Sequence, residues 1–199
     1  MKPFIKICGI KSVDEAISVA LLDVDYLGVI FTKSKRRVSP QIGSDISDVA
    51  HKYGKKCVGV FAQQSECEVL DICEAVGLDV VQIYNDVSEN LMANLHQMGI
   101  ELWRVYSVSD VLPDVSGGHF DMIMFDCKGE KVGGNGVKFD WEILKDIKFN
   151  FALAGGIGAD NVLEAIKFKP YVIDVNSKVE NENGIKVPEK IENIIRMIK

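Results

Sequence analysis

Nowhere do the 199 residues string together the roughly 20 apolar positions that a membrane-spanning helix needs. Lys6 interrupts the N-terminal apolar run almost at once, so no signal peptide is expected there. Cysteine is sparse and unpatterned: five residues, at 8, 57, 67, 73 and 127, with no CxxC spacing. An odd count without that spacing fits neither a disulfide framework nor a thiolate zinc site. Free thiols in a reducing cytoplasm are the expectation. Basic residues are outnumbered, 23 Lys and Arg against 29 Asp and Glu, giving a formal net charge of -6. Nucleic acid is therefore not an expected partner, because phosphate neutralisation needs a basic face. A small anion is a different matter, since backbone N–H groups bind one without any net charge. Linkers and low-complexity tracts are missing too, so residues 1–199 are expected to form one domain.

What the chain does have is a rhythm. Short apolar runs recur at Phe4–Cys8, Tyr26–Phe31, Lys56–Phe61, Val80–Tyr84, Leu102–Tyr106, Met122–Asp126, Phe151–Ala154 and Val172–Asn176. Nearly continuous Val, Ile, Leu and Phe is the pattern of parallel strands buried on both faces. Helix starts fall between them. Ser12-Val-Asp-Glu15 and Ser65-Glu-Cys-Glu68 match the capping box, while Ser88, Asp140 and Asp160 stand as caps before Leu91, Ile143 and Val162. Pro188 suits the first turn of a last helix with Ile191, Ile194, Ile195 and Ile198 on one face. After the fifth run, Asp110 to Gly118 carries at most a short helix. Eight strand-then-helix units fit an α/β fold of the (β/α)8 TIM-barrel class. The competing fold is a doubly wound open sheet, which normally uses fewer strands and carries GxGxxG after its first strand; that motif is absent here.

In such a barrel, chemistry collects at the C-terminal ends of the strands. Those positions hold Cys8, the Ser34–Arg37 loop, Tyr84, Asp126, Gly155-Gly156 and Asp174 to Ser177. His51, His96 and His119 fall elsewhere, so neither a histidine base nor a histidine metal site is expected. Gly133-Gly-Asn-Gly136 and Gly155-Gly156 follow neighbouring strands, where glycine allows close backbone approach to a phosphate; each cluster alone would also serve as turn punctuation. Asp126 closes an apolar run, either as a loop cap or as a carboxyl group made a proton donor by partial burial. Cys8 is either core filling or a thiol at the mouth of a pocket.

Taken in order, several blocks resemble phosphoribosylanthranilate isomerase of tryptophan biosynthesis. They are Lys6-Ile-Cys-Gly-Ile10, Phe31-Thr-Lys-Ser-Lys-Arg-Arg-Val-Ser-Pro40, Val58-Gly-Val-Phe61, Gly133-Gly-Asn-Gly-Val-Lys-Phe-Asp-Trp141, Leu153-Ala-Gly-Gly156 and Asp174-Val-Asn-Ser-Lys-Val-Glu180. The resemblance spans essentially the whole chain. It implies a cofactor-independent, metal-free (β/α)8 isomerase of the aldose–ketose type. The implied reaction turns N-(5-phosphoribosyl)anthranilate into 1-(2-carboxyphenylamino)-1-deoxyribulose 5-phosphate, an Amadori rearrangement. By match, Cys8 is its general base, Asp126 its general acid, and Arg36 the ligand of the anthranilate carboxylate. Gly133, Gly134, Gly136, Gly155, Gly156, Asp174, Asn176 and Ser177 fall on its substrate- and phosphate-binding positions. The implied partner is this phosphorylated small molecule, with a monomeric or homodimeric cytoplasmic enzyme.

Three departures stand out. Lys35 replaces the proline usual before the arginine, which leaves Arg36 and Arg37 both open as the carboxylate ligand. Ile83-Tyr84-Asn85 replaces Leu-His-Gly, and Asn176 and Lys178 replace a serine and a glycine. Lys178 either adds charge to the phosphate site or points into solvent.

The chemistry suits these residues. One acid opens the sugar ring and one base removes the C2 proton, with no hydride carrier needed. Lys6 projects from the same strand face as Cys8, about 7 Å away. At an effective dielectric of about 20 that is worth roughly 2 kcal/mol in favour of the thiolate. Desolvation and a partner such as Asp174 oppose it; the expectation is a net shift toward the thiolate. A guanidinium fork would bind an aromatic carboxylate through two parallel bonds. The histidine-pathway isomerase would end its first strand in aspartate, and indoleglycerol-phosphate synthase would use a lysine acid; neither matches Cys8 and Asp126. A phosphosugar-binding barrel without catalysis is the rival from another class, and the presence of both residues argues against it.

Overall fold

The computed structural model describes residues 2–109, 111–115, 117–127 and 139–199. Eight parallel strands close into one ring in chain order: β1 (Phe4–Cys8), β2 (Tyr26–Ile30), β3 (Lys56–Phe61), β4 (Val80–Ile83), β5 (Glu101–Val108), β6 (Met122–Cys127), β7 (Phe151–Leu153) and β8 (Val172–Val175). β8 pairs back onto β1 with Lys6 opposite Asp174, so the ring has no free edge and the open-sheet alternative is excluded. The strands begin at the expected residues, apart from β5, which starts one residue early and ends two residues late.

Local chemistry explains the first four helices, α1 (Val13–Ala20), α2 (Pro40–Lys52), α3 (Glu66–Val76) and α4 (Glu89–Gln97). Ser65 and Glu68 form the complete reciprocal capping box, and Ser88 caps α4 through Leu91 N–H. Ser12 makes only half of its box. The Glu15 carboxylate turns instead to the backbone N–H groups of Lys11 and Lys186, tying α1 to the far end of the chain. Against the outer face of β2, Phe31 stacks on Phe61 with ring centroids 5.4 Å apart. A side chain at Gly43 of α2 would come within 2.7 Å of the Phe31 ring, so that glycine sets how closely α2 sits.

The second half of the wall is thinner. Asp140 caps a single 3-10 turn, Trp141–Leu144. The expected cap at Asp160 is not formed: Asn161 occupies the position before α5 (Val162–Ala165), and Asp160 pairs with Lys178 instead. The described residues between β5 and β6 contain no helix, as expected of that segment. α6 (Pro188–Ile198) starts on its proline and buries Ile191, Ile194 and Ile198. Among the described residues, no helix is long and apolar enough to cross a membrane.

Strand alternation sends every second side chain into the ring. Its lower part is filled by Tyr26, Val58, Val80, Trp103, Val105, Met122 and Met124. Toward the C-terminal ends the same inward positions turn polar: Lys6, Cys8, Gln82, Tyr84, Asp126 and Asp174. A barrel that is packed at one end and chemical at the other is the result.

Candidate active site

The polar end opens into a cavity at the mouth of the barrel. Every sequence-expected site residue in the described part of the chain lines it: Cys8, Arg36, Asp126, Gly155, Gly156, Asp174, Asn176 and Ser177. Gly133, Gly134 and Gly136 lie outside the described residues. The departure residue Tyr84 and the unanticipated Gln82 also line this cavity.

On one side stands the carboxyl group of Asp126, 5% exposed. Its Oδ2 accepts a 2.7 Å bond from the Tyr84 hydroxyl, and its Oδ1 accepts from the N–H of Cys127 at 2.8 Å. Burial pushes this carboxyl up to about 6, with Asp174 adding to the rise while Tyr84, Cys127 N–H and Lys6 pull against it. Burial and the neighbouring carboxylate also hold the Tyr84 phenol well above its ordinary range, so it stays an O–H donor. Gly155, at φ 93°, has a physical reason to be glycine: a Cβ there would lie 2.8 Å from Cys127 N and 3.3 Å from Asp126 Oδ1.

The same cavity is lined from β1 by Cys8, 4% exposed. Lys6, wholly buried, binds Asp174 Oδ1 at 3.0 Å. Burial alone would lower the Lys6 ammonium, but Asp174 and Cys8 hold it above its ordinary range. The sign expected for Cys8 has to be corrected. Burial raises the thiol above its usual value; Lys6 pulls it down, but Asp174 pushes it up again, and burial wins. A lysine already neutralised by a carboxylate is a weak source of thiolate. Gly28 on β2 makes room for this pair, since a Cβ there would meet both Cys8 Sγ and Cys8 Cα at 3.0 Å.

The anion side also differs from expectation. Arg36 is buried against the cavity while Arg37 is exposed, which distinguishes the two by position. The guanidinium fork, however, is already engaged: Nε and Nη2 donate to Glu180 at 2.5 and 2.7 Å. Glu180 accepts as well from Lys186 Nζ at 2.8 Å, and the same ammonium reaches Asn176 O at 3.1 Å and Asn176 Oδ1 at 2.8 Å. Burial by itself would raise the Glu180 carboxyl, yet Arg36 and Lys186 hold it at about 2. Gly9, at φ 82°, accommodates this arrangement; a Cβ there would lie 2.6 Å from Arg36 Cδ. Lys178 points away, paired at the surface with Asp160.

Sequence reasoning missed Gln82, Glu180 and Lys186. Gln82 could have been found, as the one amide in an apolar strand at an inward position. Glu180 and Lys186 flank a surface turn, Asn181-Glu-Asn-Gly184, and nothing local marks them as buried. Among the described residues, no group of three or more His, Cys, Asp or Glu side chains is arranged to hold a metal ion.

The family model described as N-(5'phosphoribosyl)anthranilate (PRA) isomerase matches residues 5–197. The N-(5'-phosphoribosyl)anthranilate isomerase of Campylobacter jejuni subsp. jejuni serotype O:2 is 39% identical over 195 residues, covering 98% of each chain. The crystal structure of phosphoribosyl anthranilate isomerase from Thermus thermophilus matches with a TM-score of 0.85 at 25% identity, over 98% of this chain and 97% of the other. A second solved structure is similar at a TM-score of 0.78 and 25% identity, over 98% of both chains. It is phosphoribosyl anthranilate isomerase in complex with reduced 1-(o-carboxyphenylamino)-1-deoxyribulose 5-phosphate.

Proposed function

The chain belongs to the N-(5'-phosphoribosyl)anthranilate isomerase family and is an isomerase of tryptophan biosynthesis, and from that premise we propose that Asp126 and Cys8 are its acid and base. The observation that carries this reading is the pairing of a carboxyl raised to about 6 with a thiol, on β6 and β1, around one cavity. Asp126 at that value is protonated in a useful fraction of molecules near neutral pH. It donates its proton to the ring oxygen, the C1–O bond breaks, and the nitrogen lone pair forms an iminium at C1. Cys8 then takes the C2 proton, and the C2–H electron pair moves to form the enamine that tautomerises to the ketone.

The raised thiol is not an obstacle to this order of events. Ring opening puts a cation into the cavity beside Cys8. At about 5 Å and an effective dielectric of about 20, that charge is worth roughly 3 kcal/mol toward the thiolate. The base is therefore made when the substrate needs it. Arg36 receives the anthranilate carboxylate through the edge that Glu180 leaves free, while Gly155, Gly156, Asp174, Asn176 and Ser177 line the sugar-phosphate side. The whole chain, 1–199, acts as one barrel domain in the cytoplasm, as a monomer or homodimer.

Purified protein is expected to consume N-(5'-phosphoribosyl)anthranilate. Cys8→Ala and Asp126→Asn are each expected to reduce turnover by about a hundredfold or more, with the circular dichroism spectrum unchanged. Full activity in either variant removes that residue from the mechanism.

A further inference from the structure

Alternation along β4 puts Val80, Gln82 and the following Tyr84 on the inward face of the ring. Val80 packs into the lower barrel and Tyr84 holds Asp126. Gln82 lies between them, 2% exposed, on the wall of the cavity that Cys8 and Asp126 share. Its amide oxygen Oε1 is fully buried, and among the described residues no protein group donates to it. A buried acceptor left unserved is costly, and an apolar side chain of the same shape would avoid the cost. Val60, opposite Gln82 in the β3–β4 ladder, shows that the position tolerates apolar neighbours. Stability alone does not explain an amide here.

We propose that Gln82 is a substrate-binding residue whose amide holds the ribose portion of the substrate. The chemistry of the unserved atom selects that portion. Oε1 requires a donor, and the carboxylate and phosphate of the substrate are acceptors. A sugar hydroxyl donates and accepts at once, matching an amide that offers Oε1 as acceptor and Nε2 as donor. The anionic ends have other partners at the rim, whereas Gln82 sits deep, on the wall shared by the acid and the base. There it fixes the sugar so that the ring oxygen meets Asp126 and C2 meets Cys8, and small misplacement of reacting atoms costs rate steeply.

This inference rests on the isomerase reading of the cavity, and the experiment separates the two. Gln82→Met removes the amide while keeping length and volume. Its melting temperature is expected to equal or exceed that of the wild type. Its kcat/KM for N-(5'-phosphoribosyl)anthranilate is expected to fall about tenfold to a hundredfold. Affinity for the reduced deoxyribulose phosphate analogue should fall in step, while inhibition by inorganic phosphate stays equal. An inactive wild type would overturn the isomerase reading itself; an active wild type beside an unimpaired variant overturns only the role of Gln82. Loss of phosphate inhibition in the same proportion would also overturn it, because a distorted cavity then explains the defect. Should Gln82→Met fail to fold, the ¹⁵N-labelled wild type gives the answer. Its Gln82 side-chain amide resonances must shift with the analogue and not with inorganic phosphate, and no shift with the analogue ends the proposal.

Discussion

Tyr84 shows how much one side chain sets the working pH of another. Its hydroxyl stabilises the ionised form of Asp126 through a 2.7 Å bond, opposing the burial that raises that carboxyl. Removing the bond in Tyr84→Phe leaves burial less opposed, so the Asp126 value climbs above about 6. A hydrogen bond to a charged group is worth about 1.5–3 kcal/mol, which translates to roughly one to two pH units. The sign follows from the role proposed for Asp126. A general acid works while protonated, so activity is lost as pH rises through its pKa. The alkaline limb of kcat/KM against pH is therefore expected to move upward in Tyr84→Phe. A limb that stays in place, or moves down, would mean that Tyr84 does not tune Asp126. The same residue-level logic explains the correction at Cys8: strand spacing correctly put Lys6 beside it, but spacing carries no information on burial or on the partner across the ladder.

Between elements, the least local feature is the Arg36–Glu180–Lys186 cluster. It joins the loop after β2 to the segment between β8 and α6, and Glu15 extends it to α1. Removing the shared carboxylate in Glu180→Ala leaves two buried cations facing each other, which costs about 3–5 kcal/mol. Urea unfolding should report that loss near neutral pH, and a change below about 1 kcal/mol would show the cluster to be dispensable. In the wild type the Glu180 contribution is present above its unfolded value, near 4.5, and disappears as pH falls toward about 2. Nothing in the sequence around Glu180 announces this, because Arg36 is 144 residues away and meets it only after the ring closes, while Lys186, 6 residues on, faces it across an ordinary surface turn. Strand starts were legible for the opposite reason. Burial on both faces writes itself into a continuous apolar run, and Ser, Asp and Pro mark the helix starts within a few residues. Asp160 misled because cap chemistry is shared with ion pairing, and Lys178 claimed the carboxylate. Cys8, Asp126 and Arg36 were visible as residue types at strand ends, and the fold brings them to one cavity; who neutralises whom was not visible.

At the scale of the molecule, a chain of net charge -6 lines one cavity with Lys33 and Arg36, and the buried cations Lys6, Arg36 and Lys186 are each matched to a carboxylate. The pairing lets cations sit near an anionic substrate without the cost of burying them alone. Asp126 differs: among the described residues its buried carboxyl is held by the Tyr84 hydroxyl and Cys127 N–H rather than by a cation, and the fold bears the consequence. Its folded value of about 6 lies above the ordinary 3.8, so the folded state binds the proton more tightly than the unfolded chain does. Its contribution is therefore most favourable below the unfolded value and is lost as pH rises from near 4 through about 6. Above that window the native protein carries a penalty on the order of 2–3 kcal/mol. Asp126→Asn removes the ionisation while keeping an acceptor for Tyr84, so it should be more stable than the wild type at pH 8 by up to about that amount. The gain should shrink on acidification and vanish below about pH 4. Thermal melts of the two proteins across that range test it directly. A variant that is no more stable at pH 8, or equally stabilised at pH 3.5, would mean that the carboxyl is not held against its own ionisation, and that the fold gives up no stability to keep a proton donor in the barrel mouth.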